Sequence, residues 1–271
     1  MAKSQGLWRT AHQEPIVHNV VVTKAESSPS APQEERAGER RPKTNSNDSN
    51  KQPSLKSLSV KVLTGLPNID AEWETEYTIF GSGDVIVAAR FKPNKTDLPK
   101  IPRLGMQMAL PKGFERLTWL GPGPQETYCD RKDARLGLYN GMVRDQFYAD
   151  YTEPGESGNK VDVRWVSLTD ARGAGLLAIG MPLLSVNALH HTTDDLQNAK
   201  HPFELPLRNS IVLNLDLKQQ GLGGDNSWGA WPHQEFLIPC QEYNYSFRLH
   251  PLKAGEDPAK VARMSLVSRR D

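Results

Sequence analysis

From Ser57 onward the chain alternates apolar and polar residues with a period of two, and this pattern excludes most architectures. Leu58-Ser59-Val60-Lys61-Val62-Leu63 shows it plainly. Successive side chains of a strand point to opposite faces, so such a run builds a half-buried strand and cannot settle as a helix. Ala71–Phe80 continues in the same way through Trp73, Tyr77 and Ile79. Gly81-Ser82-Gly83-Asp84 reads as a hairpin turn, and Val85, Val87, Ala89 and Phe91 share one face of the returning strand. Further strands are expected at Arg103–Ala109, Arg116–Leu120, Val161–Leu168, Gly175–Gly180, Ser210–Leu217, Gln234–Ile238 and Tyr243–His250. Only Thr193–Ala199, with Thr and Asp at its start and Pro202 beyond it, reads as a helix. Strands and helices do not alternate, which argues against a parallel sheet or an α/β barrel. The expected class is all-β, a large antiparallel sandwich with long loops.

The flanks differ. Residues 1–24 hold one strand, Ile16–Thr23, which needs a partner from the rest of the fold. Residues 25–56 are rich in Ser, Pro, Glu, Arg, Asn, Lys and Gln, with Leu55 their only large apolar residue. Such a stretch buries too little surface to offset its ordering entropy and reads as a disordered insertion or linker. Residues 57–252 form the sandwich and 253–271 a polar tail. The tail's basic residues Lys260, Arg263, Arg269 and Arg270 read as frayed and solvated.

Hydrophobic residues make up 37% of the chain, a shortfall that dilution by the polar insertion explains. The 33 basic and 32 acidic residues leave a net charge of +1, so no strong field draws nucleic acid or a membrane surface. Met1-Ala2-Lys3-Ser4-Gln5 contains no apolar core of a signal peptide. Gly173–Leu189 is too short and too interrupted to span a membrane, and reads as strand, turn and strand. Two cysteines, Cys129 and Cys240, make no disulfide framework; reduced thiols and a cytoplasmic location are expected.

Several motifs stand in a fixed order. Arg103-Leu104-Gly105-Met106 is followed by Trp119-Leu120-Gly121-Pro122-Gly123-Pro124-Gln125-Glu126-Thr127-Tyr128-Cys129-Asp130-Arg131. Tyr151–Lys160, Asp195–His201 and Gly223-Gly224-Asp225-Asn226-Ser227-Trp228 come next. Over residues 57–252 the set resembles the last, small-chain domain of glycoside hydrolase family 2 β-galactosidases. Thr127 stands where that family usually has Asn, and Pro122 occupies a variable position. The resemblance implies a galactose-mutarotase-like β-sandwich. It also implies that the first strands of that domain are missing here, because Gly6–Ala11 resembles sequence downstream of the usual start. A split gene with large and small subunits, or a truncated product, would account for this.

Trp228 is the leading candidate for a functional role. It follows Gly221-Leu222-Gly223-Gly224, where the backbone turns freely. An indole offers a flat apolar face and one N–H donor, which suit the C–H face of a sugar. By resemblance it reaches into an active site contributed by a barrel domain; the alternative is a core Trp plugging the end of the sandwich, and Trp231 either shapes the same rim or packs. Asp225, Asn226 and Ser227 are read mainly as loop-fixing hydrogen-bonders.

Glu126, Tyr128, Asp130 and Arg131 form a polar cluster suited to pinning a loop or domain interface, and His201 joins this structural group. Glu153 and Glu156 are also close in sequence, but retaining glycosidases need carboxyls about 5–5.5 Å apart in space, which spacing in sequence does not reveal. By resemblance both catalytic glutamates lie on the barrel, so this chain is expected to hold none and to catalyse no hydrolysis alone. His190, His191 and His201 lack a completing ligand set and read as structural. No cofactor is expected in this chain; the resemblance implies magnesium and sodium ions only in the complete enzyme. The implied function is a component of an oligomeric β-galactosidase acting on terminal β-D-galactosides, partnered by a barrel-bearing large chain or domain, without nucleic acid or membrane. The alternative is a non-catalytic carbohydrate-binding sandwich.

Overall fold

A computed structural model describes residues 6–25, 57–95, 97–148, 150–226 and 228–266. In chain order the described elements are α1 (Gly6–Arg9), β1 (Ile16–Ala25), β2 (Ser57–Leu66), β3 (Ala71–Phe80), β4 (Val85–Pro93), β5 (Arg103–Pro111), β6 (Arg116–Gly123) and β7 (Arg135–Met142). They continue with β8 (Lys160–Thr169), β9 (Gly175–Leu189), α2 (Thr193–Asn198), β10 (Ser210–Gln219), β11 (Tyr243–Leu252) and α3 (Pro258–Arg263). All strand pairings are antiparallel, and the long path runs β1-β2-β3-β4-β11-β9-β8-β6-β7. The β5–β10 pair joins it through β9. The chain is an all-β sandwich.

The β9 strand makes the second layer possible. Residues 175–181 pair with β11, while Ser185–Leu189 pair with β10. The expected strand, turn and strand is instead one 15-residue strand with a break in register. Along β8, Trp165 faces Ile179 but Val163 faces Leu184, so extra residues of β9 bulge out between them. Bulges bend a strand and increase its twist, which here carries the chain from one layer to the other. At the bend, a side chain on Gly180 would strike the Leu183 backbone at 2.8 Å, which explains the glycine.

The core lies between the layers. Val87, Trp119, Val166, Leu184, Leu213 and Phe247 are among its buried members, drawn from β4, β6, β8, β9, β10 and β11. The Tyr245 hydroxyl donates to the Leu215 carbonyl at 3.2 Å and ties β11 to β10. A second cluster gathers Ile69, Phe91, Ile101, Leu104, Ile238 and Tyr243, with α1 docked on it through Trp8. Trp8 sits edge-on to Phe91 and donates Nε1 to the Pro99 carbonyl at 3.2 Å.

Several expectations change. Gln234–Ile238 is not a strand: Gln234–Phe236 is a 3-10 turn, and only Ile238 makes a bridge, to Ile101. The β7 strand was not anticipated, because Gly137, Asn140 and Gly141 break its apolar pattern and Leu136 and Leu138 face solvent. The α2 helix is present, but its cap is Thr192. The Thr192 side chain accepts from Asp195 N while Asp195 accepts from Thr192 N. The segment expected to be a frayed tail contains α3. Asp257 caps its start, Val261 buries against Trp165, Leu177 and Leu252, and Arg248 donates to the Val261 and Met264 carbonyls at its end. Of the expected insertion, Ala25 ends β1 and residues 26–56 lie outside the described residues.

Among the described residues both ends of the long path are open edges, and β1 is exposed from Ile16 through Lys24. Phe247 is 1% exposed and Leu138 60% exposed. Phe247→Ala is therefore expected to destabilise the fold by about 3–5 kcal/mol through lost transfer energy and a residual cavity. Leu138→Ala is expected to change stability by no more than about 0.5 kcal/mol. Urea midpoints of the two variants check this contrast.

Candidate functional site

The loops at one end of the sandwich meet around the turn that follows β6. Tyr128 and Arg131 exchange backbone hydrogen bonds of 3.1 and 2.9 Å, closing a tight turn. Thr127 fastens it to the start of β8: its N donates to Asn159 O at 2.7 Å, and its Oγ1 accepts from Val161 N at 3.0 Å. The hydroxyl of Thr127 thus does the anchoring. Tyr128 is fully buried beneath the turn, with its hydroxyl 3.3 Å from Glu126. Glu126 accepts from Gly158 N at 2.7 Å and pairs with Arg131, whose guanidinium lies over the Tyr128 ring. Glu126, Tyr128, Asp130 and Arg131 are thus brought together at this turn.

Asp130 links this turn to the loop after β10. Its Oδ2 accepts from Gly223 N at 2.7 Å. A side chain on Gly221 would meet Asp130 Oδ2 at 2.6 Å, so only glycine permits that approach. Beyond it, Asn226 Oδ1 accepts from Trp228 N at 2.9 Å and from Ala230 N at 3.4 Å. Asp225 bonds His233 Nε2 at 2.8 Å, and this carboxylate raises the His233 pKa. The loop so braced holds Trp228 with 92% of its surface exposed. Ser227 lies outside the described residues. Trp231 is half-buried.

Between the 126–131 turn, the 151–156 loop and Leu222–Gly223 opens a cleft of about 530 Å3. Glu153 and Glu156 both line it. Trp228, Asp225 and Asn226 are not among its walls, and neither is His201, which stacks on Phe203 at 5.3 Å. His190 follows the end of β9 and bonds Ser210 O and Glu115, each at 3.1 Å; His191 bonds Pro206 O at 3.0 Å. Among the described residues no group of three or more His, Cys, Asp or Glu is placed to hold a metal ion. Cys129 and Cys240 are unpaired thiols.

A buried ionic network behind the cleft was missed in the sequence. Arg103 Nη2 donates to Glu156 at 2.9 Å and to Gln219 at 2.8 Å. Its Nε lies 3.0 Å from Asp216 Oδ2, though off the line of a hydrogen bond. Asn187 also donates to Glu156, at 3.3 Å. A single guanidinium thus faces two carboxylates, Asp216 fully buried and Glu156, like Arg103 itself, half-buried. Burial pushes the Asp216 carboxyl up to about 7; Arg103 pulls it back and Glu156 adds to the rise. For Arg103, burial lowers the pKa but the two carboxylates outweigh it. The available signal was an acid inside the apolar run of β10, set opposite Gly105, where a side chain would meet the Asp216 backbone at 2.4 Å.

This network makes stability depend on pH. In the unfolded chain Asp216 ionises near its ordinary value of about 3.9, while the folded chain keeps its proton to about 7. The folded state binds more protons through that window, so this group's contribution to stability is full below it and declines as pH rises. Asp216→Asn is expected to flatten the decline between about pH 4 and 7. Urea midpoints of both proteins across that range measure the difference; parallel curves would remove the buried proton.

The family described as "Beta galactosidase small chain" matches residues 2–249. The β-galactosidase of Priestia megaterium is 36% identical over 203 residues, covering 74% of this chain and 19% of that protein. That of Streptococcus thermophilus is 33% identical over 202 residues, 73% of this chain and 19% of that protein. That of Halalkalibacterium halodurans is 35% identical over 176 residues, 63% and 17%. The match is thus less than a fifth of each relative's length. With the family pattern running from residue 2 into β11 at residue 249, the chain belongs to the β-galactosidase small-chain family.

Proposed function

We propose that this chain is the small-chain component of a family 2 glycoside hydrolase acting on terminal β-D-galactosides. It supplies Trp228 to an active site whose two catalytic carboxylates lie on a barrel of another domain or chain. The observation that carries this reading is the indole held 92% exposed on a loop braced by Asn226 and, through Gly223, by Asp130. An apolar ring that size in water is unfavourable, and covering it with the C–H face of a pyranose would relieve that cost. The names of the relatives support the galactoside, and their greater length supports a barrel elsewhere.

In this reading the indole orients the sugar and excludes water on one side, Asn226 sets the loop's shape, and Asp225 stands at the rim. The 126–131 turn holds the loop in place and lies near the contact with the large chain or domain, with His201 in a structural role. The complete enzyme is an oligomer in the cytoplasm, a location that two unpaired thiols suit.

Mixing the chain with a barrel-bearing large chain is expected to restore hydrolysis of lactose. Trp228→Ala is expected to raise KM about tenfold, equivalent to about 1.4 kcal/mol of binding, with partial recovery in Trp228→Phe. No gain in activity over the large chain alone would sink the proposal.

A further inference from the structure

The cleft beside the Trp228 loop has walls whose chemistry differs from that of the indole. Tyr151 lines it, exposed, with its ring tilted against that of Tyr148 at 5.1 Å. Arg131 pairs with Glu126 and retains further N–H donors. Three carboxylates are held rigidly: Glu126 by Gly158 N, Asp130 by Gly223 N, and Glu156 by Arg103 and Asn187. Glu156 is held through Oε1 alone, and Glu153 makes no hydrogen bond or ion pair among the described residues. The cleft therefore combines fixed acceptors, a guanidinium donor and a ring in a volume of about 530 Å3.

The chemistry of these walls narrows the ligand. Four carboxylates against Arg131 disfavour an anion. A largely apolar ligand would bury those charges without partners. A divalent cation needs a cluster of ligands that the described residues do not form. A polyhydroxylated ring satisfies the set, because its hydroxyls donate to carboxylates and accept from guanidinium while its C–H face packs on tyrosine. The volume falls within the ordinary range of roughly 300–1,000 Å3 for small-molecule sites. We propose that this cleft is a second carbohydrate site, separate from Trp228, that takes a neutral pyranoside of one or two rings.

The site belongs to the chain itself and does not depend on the galactosidase reading. Lactose and maltose titrated into the full chain, followed by calorimetry and saturation-transfer NMR, are expected to bind in the millimolar range. Tyr151→Ala and Glu153→Gln are each expected to weaken binding at least about tenfold. Both residues are exposed, and an unchanged urea midpoint verifies that each variant is folded. Leu138→Ala, an exposed residue of β7 outside the cleft lining, is expected to bind normally. Absence of sugar binding at millimolar concentrations overturns the proposal. So does binding removed by Trp228→Ala but not by the cleft variants, which would place the sugar on the indole and leave the proposed function standing. Binding of spermidine that added salt abolishes, with no response to either sugar, overturns it in favour of a cationic ligand.

Discussion

The sandwich depends on one strand belonging to two layers. The first half of β9 pairs with β11 and its last five residues pair with β10. Without the bend at Gly180–Leu184, the β5–β10 pair would have no ladder to the long path, and the faces of β8, β10 and β11 would lie open to water. Burial of those faces drives the folding, but the backbone ladder decides where they meet. The large buried members, Trp119, Leu213 and Phe247, come from three strands that this crossing brings together.

The same arrangement positions the loops. Arg103 starts β5, Asp216 lies near the end of β10, and Glu156 comes from the loop before β8. A buried charge is tolerated only when paired, so this triad obliges the three segments to converge. The turn after β6 is stitched to the result by Thr127, Asn159 and Glu126, and the loop after β10 by Asp130 and Gly223. Each bond is modest, about 0.5–1.5 kcal/mol for a neutral pair and more where a charge takes part. Together they brace a rim with an exposed indole on one side and the cleft on the other.

Much of the fold was legible because most strands bury alternate residues. Ala71–Phe80 has the bounds expected, and Val87, Ala89 and Phe91 of β4 are buried as their spacing requires. The pattern failed where burial does not alternate. β7 lies at an edge with its leucines in solvent, and β9 is buried on both faces near its end, so neither carries a clean period. Gln234–Ile238 had the composition of a strand but no neighbour for a ladder beyond Ile101. The residues of the candidate site divide in the same way. Glu126, Tyr128, Asp130 and Arg131 were recognisable as a cluster because they are adjacent in the chain. Arg103, Asn187, Asp216 and Gln219 were not, because more than a hundred residues separate Arg103 from its partners on β10.

The sequence by itself determined the class of fold, through period-two alternation and turn residues, and the family, through motifs in a fixed order. Both are local signals, written within ten or so residues. The crossing of β9, the cleft, the shared guanidinium and the exposure of Trp228 were decided only in the folded chain. Each arises from contacts between segments far apart along the backbone, and local pattern carries no distance across such gaps.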